Sequence, residues 1–401
     1  MSVELYASCG CGFRSIEKIM GYLNNKLQWG LEEVPCYVSI KNWVEKSGYL
    51  IYCDSELRTQ SSDYATIVDE SMMIGSEKLL LTLGVKSDKT DARPLIFNDV
   101  DVLDISVQKS WNSTSIAAVF TKIEEKMGRF PAYVISDNAS TITKAIRDKS
   151  YIHIRDVSHT MSMFVERQYK NDVSFIAFTK EIAAVKFKEI MRPSSYLLPP
   201  KQRTIARFMN LSQSVRWAGQ MLKSFNQLSD EEQHIFGFLH NHTFIISELS
   251  EILGQINFVS EWIKTEGISM AIIEKCKKEI SPLTLSGSQR ISTAAKQIGL
   301  YLDDEMNKLT NDKTIWNASS DIIESIFGYY KARKSPNTLN GVTLQVLLLP
   351  LITKIDTEKG TSTINFKTTL EHVFLKDLKG WKDNHLTENM AIKRNKLLLA
   401  S

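Results

Sequence analysis

The strand-like runs of this chain gather in one stretch, residues 64–155, and the residues that follow, 160–315, carry helical spacing almost throughout. Tyr64–Glu70, Lys78–Val85 and Asp101–Ser110 read as three strands, the first two joined as a hairpin through Gly75. Asn112-Ser113-Thr114-Ser115 supplies a helix N-cap, and Ile116, Val119, Phe120, Ile123 and Met127 give the apolar face of a helix that stops at Gly128. Pro131 precedes a fourth strand that ends at Asp137. A short helix over 140–148 and a strand over 151–155 complete the order βββαβαβ. That order points to an α/β fold, followed in the chain by a long helical stretch.

Outside this stretch the organisation is helical. Residues 1–60 are expected to form a small helical N-terminal domain. Its first helix covers 13–27. Its second carries Tyr37, Ile40, Trp43 and Val44 and closes at Gly48. The pair is either a helix-turn-helix that reads DNA or a packing or dimerisation module. Its six basic and seven acidic residues give it no electrostatic footprint. The remaining divisions are a first part of the core over 61–160, an all-helical insertion over 161–315, a last core helix over 316–345, and a basic C-terminal tail over 346–401. Breaks are expected at Pro199-Pro200 and Ser281-Pro282.

Charge is uneven along the chain. Val185–Ser224 holds eight basic residues and one acid, Glu189, although the whole chain of 401 residues carries only +3. Such a local basic surface on a near-neutral chain fits a nucleic-acid partner, with solvated helix faces as the plainer alternative. No run approaches the ~20 apolar residues of a membrane-spanning helix. Five scattered cysteines, at 9, 11, 36, 53 and 276, make neither a disulfide framework nor a zinc motif, so a reducing cytoplasmic setting is expected.

Three acids stand out. Asp69 ends the apolar run Tyr64-Ala65-Thr66-Ile67-Val68, and Asp137 ends Ala132-Tyr133-Val134-Ile135-Ser136. A charge at the end of a buried strand is costly unless it serves a metal or a partner. Asp137 could instead cap the helix that follows it. Glu324 sits in the helical stretch Asp321–Lys331 among Ile322, Ile323, Ile326 and Phe327, which are expected to bury its face in part; Asp321 is the competing choice. Two acids at strand ends and one on a facing helix can converge on a pair of Mg²⁺ ions that activate water or a 3′-OH for attack on a phosphodiester. Mn²⁺ would substitute.

With these residues in view the chain resembles DDE/D cut-and-paste transposases, of insertion-sequence type with hAT-like features, over about residues 60–345. Asp156-Val157-Ser158-His159 is similar to the family's C/D-x-x-H motif. Val215-Arg216-Trp217 is similar to the Arg-Trp element of hAT-like insertions, and Lys331 stands seven after Glu324 as in the Glu-x6-Lys form. The resemblance implies a ribonuclease H-like mixed sheet (βββαβαβ-α) with Asp69, Asp137 and Glu324 as catalytic, metal-binding acids. Asp156 and His159 would orient the active site. The separation of 187 residues between Asp137 and Glu324 is what a helical insertion would produce. Where the Tyr-x2-Arg-x3-Glu-x6-Lys form has its arginine, this chain has Ser320, so any phosphate contact made there must come from elsewhere.

Further expectations follow from the same resemblance. Arg216, Lys201, Arg203 and Arg207 in the basic stretch, and Lys331, Arg333 and Lys334 after Glu324, would contact DNA. Trp217 would stack on a base taken out of the duplex, unless it is a core tryptophan. The implied activity is Mg²⁺-dependent cleavage at element ends and strand transfer into a target. The partners would be double-stranded DNA (terminal inverted repeats and target) and a second copy of the chain, in a bacterial cytoplasm on the nucleoid. The alternatives are a nuclease that only hydrolyses and a transposase-derived DNA-binding protein without catalysis.

Overall fold

A computed structural model of the protein describes residues 1–59, 63–71, 73–201, 208, 210–356, 361–362 and 364–399. The chain divides into two compact units. Unit 1 comprises residues 1–88, 94–154 and 320–401, and unit 2 comprises 89–93 and 155–319.

Unit 1 opens with helices α1 (Ser2–Ala7), α2 (Phe13–Leu27) and α3 (Tyr37–Thr59). The sheet elements follow as β1 (Tyr64–Glu70), β2 (Lys78–Lys86), β3 (Asp101–Gln108), α4 (Ser113–Met127), β4 (Val134–Ser136), α5 (Ser140–Asp148) and β5 (His153–Arg155). The sheet order is β3-β2-β1-β4-β5. β1 pairs antiparallel with β2, and β2 with β3, whereas β1 runs parallel to β4. The parallel pair needs the long crossover that β2, β3 and α4 provide. The protein is thus α/β with a five-stranded mixed sheet, as the order of runs predicts.

The first strands read as continuous apolar runs because both faces of the sheet are covered. Tyr64, Val68, Leu80, Leu103 and Val134 join α4 and α5 in one core, with Ile116, Phe120, Ile123, Ile142 and Ile146. The alternate residues Ile67, Leu79, Leu81, Leu83 and Ile135 are equally buried, pointing the other way. Helix α4 begins and ends where expected. Asn112 accepts from the Ser115 backbone N–H, and Gly128 closes the helix in the left-handed region at φ 67°.

Residues 1–59, read as a small domain, share a core with the end of the chain. Val3, Tyr6, Ile16, Ile40, Val44 and Ile51 pack with Leu348, Leu351, Ile352 and Ile355. Gly48 does not close a helix there. Helix α3 runs through it to Thr59, and a Cβ at 48 would lie 1.9 Å from the Leu347 carbonyl oxygen. The glycine is needed for close approach, not for termination. The link between α2 and α3 spans residues 28–36, longer than the three- or four-residue turn of a helix-turn-helix.

Unit 2 contains α6 (Val157–Tyr169), α7 (Val173–Glu189), α8 (Leu211–Lys223), α9 (Asp230–Phe236), α10 (Thr243–Glu266), α11 (Met270–Ile280) and α12 (Gln289–Met306). These helices lie in the chain between β5 and the helix over 321–333. Unit 1 resumes with α13 (Asp321–Arg333) and α14 (Leu348–Ile352). Residues 346–401, read as a basic tail, fold further into the two-stranded ribbon β6 (Ile355–Asp356) and β7 (Thr361–Ser362), and then α15 (Phe366–His372), α16 (Leu375–His385) and α17 (Met390–Leu399). The run Leu347–Ile352 is buried throughout. No helix among the described residues is long and apolar enough to cross a membrane.

Candidate active site

The site is built on two neighbouring strands. In β1, residues 64–68 are buried and Asp69 is the first to reach the surface. It lies opposite Leu81 of β2, on the sheet face away from α4 and α5. Its Oδ1 accepts the Glu70 backbone N–H at 2.7 Å. Glu70 points to the other face and pairs with Lys78. In β4, Ser136 is the last paired residue, opposite Val68. Asp137 therefore follows β4 at the level where Asp69 follows Val68. Adjacent strands lie about 4.8 Å apart, so the two carboxylates leave the sheet side by side.

Asp137 also serves the chain locally. Its Oδ1 accepts the Ala139 backbone N–H at 2.9 Å, which turns the chain into α5. Asp137 is not the N-cap of α5, which is Ala139 with no side-chain cap bond; the turn occupies one carboxylate oxygen of a residue that still follows the strand end. Beside it, the buried Ser136 hydroxyl sits 2.8 Å from His153 Nε2 on β5. Nothing in the spacing 136–153 announces this pair.

The third acid comes from α13, which packs on β1. Ile322, Ile323, Ile326, Phe327 and Tyr330 form its buried face. Glu324 lies at the margin of that face and is exposed, which corrects the expectation that its apolar neighbours bury it. Those neighbours take the i, i+3, i+4 positions of the core face, and Glu324 falls between them. Glu324, Gly328 and Lys331 follow at i, i+4 and i+7, one stripe with no side chain at its centre, and a Cβ at Gly328 would meet open space. Asp321, the competing acid, is half-buried in the first turn, beside the buried N-cap residue Ser320.

Lys331 links the strand acid to the helix acid. Burial lowers its pKa, the Asp69 and Glu324 carboxylates act in the opposite direction, and Lys334 adds to the lowering. Lys331 is thus a half-buried ammonium that senses both carboxylates. Arg333, by contrast, is engaged inside the fold. Its guanidinium lies 3.6 Å above the Tyr329 ring, and its Nη1 donates to the Tyr329 carbonyl oxygen at 3.4 Å. Lys334 is the C-cap residue of α13 and half-buried.

The other sequence candidates lie in unit 2. Asp156 is fully buried and caps α6, accepting from the His159 backbone N–H at 2.7 Å and lying 3.0 Å from His159 Nδ1. The Asp-x-x-His motif is therefore a helix start whose two named residues hold each other. Trp217 of α8 donates its indole N–H to the Leu197 carbonyl oxygen at 2.9 Å and meets Phe236 edge-on at 6.2 Å. This is the geometry of a packed tryptophan. Arg216, its neighbour, is exposed, as is Lys201; Arg203 and Arg207 lie outside the described residues.

Among the described residues no group of three or more His, Cys, Asp or Glu side chains is gathered closely enough to hold a metal ion. The donor chemistry at the ends of β1 and β4 is two carboxylates. That set suits Mg²⁺, which is commonly held by one or two carboxylates with water and substrate phosphate filling the remaining positions. Comparison with known protein families and with curated proteins finds no match.

Proposed function

We propose that this chain is a DNA transposase of the DDE type, acting on double-stranded DNA with a ribonuclease H-like core. The observation that carries the reading is the placement of Asp69 and Asp137 at the ends of β1 and β4, adjacent parallel strands, with α13 packed on β1. The element order βββαβαβ, and the break in unit 1 that admits a helical unit just before α13, support the same reading.

Asp69 and Asp137 would hold a divalent cation, with Glu324 reaching it from α13. When bound, the ion supplies Lewis-acid activation of water or of a freed 3′-OH and offsets charge on the leaving oxygen. The chain's own contribution is orientation. The sheet fixes the two aspartates, the turn to Ala139 sets the rotamer of Asp137, and Lys331 offers a cation for the scissile phosphate. Lys331 stands in for the arginine that Ser320 replaces. The element's inverted repeats, a target duplex and a second copy of the chain complete the reaction as proposed.

The deciding experiment mixes purified protein and Mg²⁺ with a duplex bearing the repeat end from its own locus, for wild type, Asp137→Asn and Glu324→Gln. Nicking and joining that require metal and disappear in both variants support the reading. Cutting without joining leaves a hydrolytic nuclease. DNA binding without cutting in wild type leaves a binding protein, and cutting that survives Glu324→Gln moves the third acid to Asp321.

A further inference from the structure

Unit 1 holds a cleft of about 290 Å³ between α2, α3, residues 335–348 and the end of α16. Phe13, Val44 and Leu348 give it an apolar wall. Its charged residues are Lys41 and Glu45 of α3 and Lys382 of α16. Ligand pockets run from about 300 to 1,000 Å³, so this volume suits a molecule of amino-acid size.

Glu45 is a buried carboxylate with little to offset its charge. Its side chain is 5% exposed, and Oε1 lies 3.2 Å from Nζ of Lys41, which is 48% exposed. Oε2 has no hydrogen-bond partner among the described residues. Lys382 acts on the same carboxylate from α16, and the Tyr6 phenol of α1 senses it in turn. Burial outweighs both lysines and raises the pKa of Glu45. A carboxylate so placed costs stability at neutral pH, where a neutral side chain of the same shape would not. A charge kept at such a cost on the wall of a cleft marks a binding group, whose missing partner a ligand supplies.

Charge selects the kind of ligand. The cleft presents two ammonium groups and one carboxylate, so its complement carries two acidic groups and one amine. A simple dianion would meet the lysines but set its charge against Glu45. A simple amine would meet Glu45 but face both lysines. We propose that this cleft binds an acidic amino acid, with Glu45 taking the ligand's ammonium and Lys41 and Lys382 its two carboxylates. The ligand's methylenes then lie on the apolar wall. The proposal rests on the cleft alone and not on the chemistry assigned to Asp69, Asp137 and Glu324.

Isothermal titration calorimetry of the full chain with L-glutamate, L-aspartate and glutarate tests it. One of the amino acids is expected to bind at neutral pH with a Kd below about 1 mM. Glutarate, which lacks the amine, should bind about tenfold more weakly or worse. Glu45→Gln keeps the shape, is expected to be the more stable protein at neutral pH, and should lose about tenfold or more in affinity. The ammonium needs Glu45 ionised. Wild-type affinity should therefore rise with pH through the raised pKa of Glu45, with protons released on binding, and Glu45→Gln should abolish both effects. Lys382→Met leaves Glu45 in place and should weaken binding while keeping the rise with pH. No saturable binding of either amino acid up to about 10 mM, glutarate binding as tightly as glutamate, or an affinity indifferent to Glu45→Gln overturns the proposal.

Discussion

Asp137 separates its two roles cleanly. An asparagine oxygen accepts the Ala139 N–H as a carboxylate does, so Asp137→Asn keeps the turn into α5 while removing the charge. The variant should therefore melt within about 0.5 kcal/mol of wild type, as substitutions that leave local bonds intact do. Its metal-dependent cleavage should fall by about a hundredfold or more, because a metal ligand is gone. Equal loss of stability and activity would count against a role in chemistry. Lys331 makes a different demand. Lys331→Ala should weaken DNA binding for every sequence alike and reduce the slope of log affinity against log salt by about one, measured by fluorescence anisotropy. An unchanged slope would remove Lys331 from the phosphate path. A third residue, Glu45 of α3, bears on stability. It is almost wholly buried, and burial raises its pKa, with Lys41 and Lys382 partly offsetting the shift. A carboxyl whose folded pKa is raised favours folding most below its unfolded pKa, and that contribution is lost as pH rises through the folded value. Relative to wild type, Glu45→Gln should thus gain stability between pH 4 and pH 7. Denaturant melts at the two ends of that window measure the gap, and a gap that shrinks toward neutral pH would contradict it.

At the scale of elements, Gly48 gives the sharpest expectation. A Cβ there would overlap the Leu347 carbonyl oxygen, and both are backbone-bound parts of packed helical segments. Gly48→Ala should destabilise unit 1 by about 1–3 kcal/mol or more, the usual cost of overpacking, although alanine is the better helix former. A neutral or stabilising effect in urea melts would mean that α3 and residue 347 can separate freely. The same glycine shows where sequence reading runs out. Local signals were legible. Asn112 and Gly128 bound α4 as read, and the apolar runs of β1 and β2 lie where expected, because caps and alternation are written in neighbouring residues. Gly48 answers to residue 347, about 300 positions away, and no local pattern carries that. The spacing of Ile322, Ile323, Ile326 and Phe327 names the core face of α13, and the same spacing, followed through, leaves Glu324 outside it. The strand ends at Asp69 and Asp137 were legible, since each closes an apolar run. Their adjacency was not, because it depends on which strands pair.

The chain as a whole is two units, and one of them is assembled from three segments. Unit 1 needs residues 320–401 to finish a core begun by residues 1–59, whereas unit 2 is nearly continuous from 155 to 319. Each has fully buried apolar residues of its own: Ile67 and Ile135 in the sheet of unit 1, Phe178 and Ile182 in the helices of unit 2. Compact units with buried residues of their own are not bound to melt together, and single-transition behaviour is a property of single domains. Scanning calorimetry of the full chain should accordingly resolve two transitions. Phe178→Ala, which empties a large volume in unit 2, should lower one of them by the equivalent of about 3–5 kcal/mol and leave the other in place. Gly48→Ala should do the reverse, acting only on the transition that Phe178→Ala spares. One transition moved by both variants would show instead that the units unfold as a single cooperative body. In that event the segments flanking the insertion, near residues 154 and 320, transmit folding between them, and an assignment of function to unit 1 alone would have to include the helical unit as well.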